Sequence, residues 1–149
     1  FSLPIYQKQN IQIDSVADFI NERFVSVDYT EGPEKKRLSK IYEVYTEPVL
    51  LICDANGKVM HRMEGKCTAG EMMARLRQGL DVKNNLTAQK LMYDNGNRSS
   101  EFLINYLETL HIAGLRTQRD SVLHNIFSLS FHVDSLKTPK YWNVFLRYN

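Results

Sequence analysis

The chain has 149 residues, 43% hydrophobic and 24% charged, with a formal net charge of +2. These values suit an ordinary globular protein, and a chain this long builds a core without a metal or disulfide staple. Its cations lie among acids, as in Glu34-Lys35-Lys36-Arg37, which argues against a nucleic-acid stripe, and no run reaches the roughly 18 apolar residues of a membrane span.

Asp14 can cap a helix whose apolar positions Val16, Phe19 and Ile20 follow at helical spacing. Phe24–Tyr29 reads as a strand, rich in β-branched and aromatic residues. Glu31-Gly32-Pro33 breaks it, and Pro33 suits the first position of a new helix, where its missing N–H costs nothing. That helix carries Leu38, Ile41, Tyr42 and Tyr45 on one face. Val49–Asp54 is a continuous apolar run, the pattern of a strand buried on both faces. Pro48 stands at its first residue, where a strand tolerates proline.

Ala55-Asn56-Gly57 supplies a tight turn, and Lys58–Glu64 returns as an antiparallel strand alternating Val59, His61, Met63 with Met60, Arg62, Glu64. Gly65 ends it. Thr68-Ala69-Gly70-Glu71 has the spacing of a capping box, opening a helix that buries Met72, Met73, Leu76 and Leu80. Beyond residues 81–85 no convincing strand appears. Leu86–Tyr93, Ser100–Ile112 and Thr117–Leu129 are helical patterns, and Thr138-Pro139 starts a last short helix. The reading is an αβ domain over 1–82 and an all-helical extension over 83–149. The extension is a small bundle or hairpin pair, or a repeat fragment without a clean period of about 34 residues.

The order of elements over 14–80 resembles the C-terminal two-thirds of a thioredoxin fold. Phe24–Tyr29, Tyr42-Glu43-Val44-Tyr45-Thr46-Glu47-Pro48, Asp54-Ala55-Asn56-Gly57-Lys58 and Gly65 before a final helix carry the resemblance. It implies a mixed sheet with flanking helices, a partial thioredoxin-like α/β fold. It also implies that Pro48 is cis, with Thr46, Glu47 and Pro48 lining a groove where a substrate's backbone pairs. The helical tail resembles that of thioredoxin-like proteins of the bacterial cell envelope, including relatives of thiol–disulfide isomerases, which implies a periplasmic or envelope location.

The family's redox chemistry needs Cys-x-x-Cys at a helix N-terminus, where backbone N–H groups stabilise a thiolate. This chain has two cysteines, Cys53 and Cys67, and no such motif. With a two-residue deletion, Phe1-Ser2-Leu3-Pro4-Ile5 overlays the motif and puts Ser2 and Ile5 at the cysteine positions, so the chain is expected to be redox-inactive as given. The family strand preceding the motif also has no counterpart. Three explanations stay open: the strand lies in a longer parent from which this chain was processed or cut, a second copy supplies it in a homodimer, or the fold is rearranged.

Along the expected hairpin Cys53 and Cys67 lie about 25 Å apart, too far for a disulfide. Cys53 reads as core. Cys67, just before the Thr68 cap, is a candidate reactive thiol, against the commoner reading of a small residue at a strand–helix junction. His61, His111, His124 and His132 form no zinc-type pair, glycines form no phosphate loop, and no cofactor or metal is signalled. Asn85-Leu86-Thr87 and Asn97-Arg98-Ser99 match the glycosylation sequon, a pattern frequent by chance. Two functions remain: a thioredoxin-like domain from an oxidoreductase-related parent, or a non-enzymatic module binding a protein or peptide at the Pro48 groove with the helical tail widening the surface. A third is that the helical region scaffolds an assembly.

Overall fold

The structure, a computed structural model, describes residues 14–130 and 139–148. Ser2 and Ile5, the positions that overlay the redox motif, lie outside the described residues, as does His132. The described elements are seven helices and one antiparallel pair of strands, a mixed α/β chain in which helix predominates. They fall into two units, the first ending at Asn85 and the second beginning at Leu86.

In the first unit, α1 (Asp14–Arg23) buries Val16 and Ile20. The residues after it form no strand, contrary to the sequence pattern: Phe24–Tyr29 is extended but has no ladder partner among the described residues. Phe24 and Asp28 are half-buried, the former against the Phe19 ring, while Val25, Val27 and Tyr29 are 95%, 56% and 49% exposed. A strand is stabilised by its neighbour, so propensity alone cannot make one here.

Helix α2 (Gly32–Ile41) has Pro33 in its first turn, as expected, but buries no residue and stops before Tyr42. Glu43 adopts φ +51 and the Val44 N–H closes back onto the Ser39 carbonyl, a helix stop that usually recruits glycine. Tyr45, expected on the helix face, is 86% exposed as a result.

Strands β1 (Val49–Cys53) and β2 (Val59–Glu64) pair antiparallel, with Leu50 opposite Met63 and Ile52 opposite His61, and an irregularity between Ile52 and Cys53. The Gly65 N–H adds a further bond to the Pro48 carbonyl, 2.9 Å away. At the turn Gly57 takes φ +79, and the Asp54 carboxylate accepts from the Asn56 and Lys58 N–H groups. The mixed sheet implied by the resemblance is therefore, among the described residues, one antiparallel pair. Two single-residue expectations also fail. Cys53 is exposed, because the irregularity ends regular pairing there, and Arg62 is buried on a strand whose alternation put it with Met60 and Glu64.

Helix α3 (Ala69–Leu80) begins with the expected capping box. The Glu71 N–H donates to Thr68 Oγ1 at 3.3 Å and the Thr68 N–H to Glu71 Oε2 at 2.7 Å. Met72 and Leu76 are buried, but Leu80 is 41% exposed and the neighbouring Gly79 faces the sheet instead. A Cβ on Gly79 would fall 2.2 Å from Ile52 Cδ1 and 3.3 Å from His61 Cβ, so the missing side chain is what lets α3 approach β1 and β2.

The second unit contains α4 (Leu86–Asp94), α5 (Ser100–Ile112), α6 (Arg116–Ser130) and α7 (Pro139–Tyr148). Leu103, Tyr106, Leu107 and Leu110 of α5 pack with Val122 and Ile126 of α6 as its core, flanked by Tyr93, Phe102 and Tyr148. Glu108 holds the end of α7, accepting from the Tyr148 hydroxyl and pairing with Arg147 at 3.0 Å. Burial pushes the Tyr106 hydroxyl up to about 12, with the Asp94 charge assisting. Among the described residues no helix is long and apolar enough to cross a membrane.

Candidate functional site

Three predicted site residues, Thr46, Glu47 and Pro48, lie together at the start of β1. Thr46 and Glu47 are exposed and Pro48 is buried, and the Glu47–Pro48 peptide bond is cis. Glu47 pairs with Lys35 of α2 at 2.6 Å, an exposed bridge of small energetic weight. The stronger constraint is Arg62 of β2. Its guanidinium donates to the Tyr42 carbonyl at 2.8 Å and the Glu43 carbonyl at 3.3 Å, with the Glu64 carboxylate 3.5 Å away. The Tyr42 hydroxyl donates to the Gly57 carbonyl at 3.0 Å. The segment leading to Pro48 is thereby tied to the hairpin's turn and to its second strand.

On one side β1 meets β2; on the other, no described strand pairs with it. The extended run Val25–Tyr29 has no ladder either, and one carboxylate oxygen of its Asp28, Oδ2, is buried with no hydrogen-bond partner among the described residues. A buried acceptor left unmade costs about 1–3 kcal/mol, so this oxygen has a use for a donor. Unpaired extended backbone of this kind is the template on which another chain adds as a strand.

Cys67 is elsewhere, half-buried between β2 and α3. Burial pushes its thiol up, offset in part by the charge of Arg75, whose guanidinium also hydrogen-bonds the sulfur. Burial at this position thus works against the stabilisation that a helix N-terminus offers a thiolate. Burial, joined by the Asp54 charge, pushes the Cys53 thiol up as well. Cys53 and Cys67 form no disulfide, and no group of three His, Cys, Asp or Glu among the described residues could hold a metal.

The sequence reading missed Arg62, Asp28 and Arg75. Arg62 had a faint signal, a charged residue inside a strand over a loop of exposed carbonyls, but the pattern of alternation sent it to solvent. Asp28 had none: the burial of its Oδ2 is set by tertiary packing that no local pattern announces. Asn85 of the first sequon is 2% exposed, which withdraws it from modification in the folded chain. No family model, curated protein or solved structure matches this chain.

Proposed function

We propose that the first unit is part of a thioredoxin-like domain, redox-inactive as given, that works as a binding module for an extended peptide. The order of helix, extended run, helix, proline-led strand, glycine turn, strand and capped helix supports the fold reading. Fold likeness alone says little about activity, so the function rests on the surface. The observation that carries it is the run Val25–Tyr29: strand-like in pattern, apolar toward solvent, unladdered, and holding the orphaned Asp28 oxygen. Main-chain pairing would supply affinity, and the outward side chains would select alternate apolar residues in the partner.

The test uses a soluble peptide of alternating valine and threonine, followed by amide chemical shifts. Shifts confined to residues 24–30 and 48–53, and lost in Val25→Lys/Val27→Lys, are expected. Both positions are exposed, so the double variant keeps its fold while placing charge on the edge. Binding unchanged in that variant, or shifts scattered over α5 and α6, would end the proposal.

A further inference from the structure

Among the described residues of the first unit His61 is the most enclosed ionisable side chain, 0% exposed on β2 opposite Ile52. The backbone of Gly79 on α3 lies against it so closely that even a methyl group there would stand 3.3–3.4 Å from the ring and its Cβ. The ring is closed off from water, with α3 covering it on the Gly79 side. From α3 the charge acting on it is Arg75, a cation, which also acts on Cys67 and Glu71. From β1 it faces Ile52, which is apolar. Its neighbour on β2, Arg62, is engaged with the Tyr42 and Glu43 carbonyls and with Glu64.

We infer that the contact of α3 with β2 is an acid-sensitive latch, which opens when His61 takes a proton and uncovers Ile52, Met63, Met72 and Leu76. A cation formed in this slot loses hydration and meets Arg75, and separation of α3 from the sheet relieves both. Burial, with Arg75 assisting, pulls the imidazole down to about 4 from its ordinary 6.5. An opened ring binds its proton at the ordinary value. Between those two values the open form holds more protons than the closed one, so acid favours opening there. Below about 4 both forms are protonated and the effect stops growing. Over that window the opening equilibrium shifts by up to about 300-fold.

Amide hydrogen exchange of the whole chain, corrected for the intrinsic effect of pH, reads this directly. From pH 7 to 4 the α3 amides are expected to open progressively, toward the 300-fold limit, while α5 and α6 hold their protection. Arg75→Gln removes the neighbouring charge and should shrink the total rise without moving its onset. His61→Gln should remove the rise that begins near pH 6.5, leaving what loss of the Glu71 capping carboxylate contributes at the acid end. Should that variant not fold, the ring's own titration by NMR decides. An imidazole titrating near 6.5 in the folded chain, an α3 profile flat across the window, or a rise that starts near pH 6.5 just as steeply in His61→Gln would each overturn the inference.

Discussion

The guanidinium of Arg62 donates to the main-chain carbonyl of Tyr42 across 2.8 Å, joining the second strand of the hairpin to the end of α2. The residues lie twenty apart in sequence, and the bond fixes where the chain leaves the helix. Helix ends carry carbonyls with no intrahelical partner, and those of Tyr42 and Glu43 are answered by one side chain. Tyr42 is then held twice, since its hydroxyl reaches Gly57 at the hairpin turn. The direction of approach to Pro48 follows from these bonds.

Arg62→Met should be the most costly single change in the first unit outside its apolar core. The substitution keeps much of the stem's packing but strips donors from two carbonyls and leaves the Glu64 carboxylate, largely buried, without its cation. A loss of about 2–4 kcal/mol is expected, read as a lower urea midpoint at unchanged slope. Arg62→Lys should recover only a fraction, because one ammonium cannot reproduce the fork. A Met variant within about 0.5 kcal/mol of the parent would show that water serves those carbonyls as well.

Gly79→Ala sets two effects against each other. Alanine gains roughly 1 kcal/mol in helix propensity over glycine. Against this, its methyl would overlap Ile52 Cδ1, and overpacking a core costs about 1–3 kcal/mol. The net expected is a destabilisation of about 1 kcal/mol. Adding Ile52→Val removes the colliding carbon, so the double variant should be more stable than the two single effects predict. Strict additivity in that cycle would place the clash elsewhere.

Thiol labelling at pH 7 should find Cys53 faster than Cys67, and both several-fold slower than a free model thiol. The thiolate is the reactive form, and burial pushes both groups up. Arg75→Gln should slow Cys67 further, because the guanidinium opposes the effect of burial there. Mass spectrometry of partly labelled protein gives the order, and a Cys67 that outpaces the free thiol would restore it as a reactive centre.

Local signals were legible in the sequence. Pro33 in a first turn, Asn56-Gly57 at a hairpin and Thr68 three residues before Glu71 each act through neighbours within one turn of chain, so composition and spacing suffice to read them. The helices of the second unit belong here too, since the apolar faces of α5 and α6 carry their own period. Tertiary structure decided the rest. Phe24–Tyr29 has every residue a strand needs and no strand beside it among the described residues, because a ladder is a property of two segments. Arg62 is buried because a loop twenty residues earlier offers carbonyls that only folding brings within reach. Gly79 looks like a flaw in a helix until β1 and β2 arrive against it. Contacts between distant residues set burial, and burial decides which side chains are charged, strained or available to a partner.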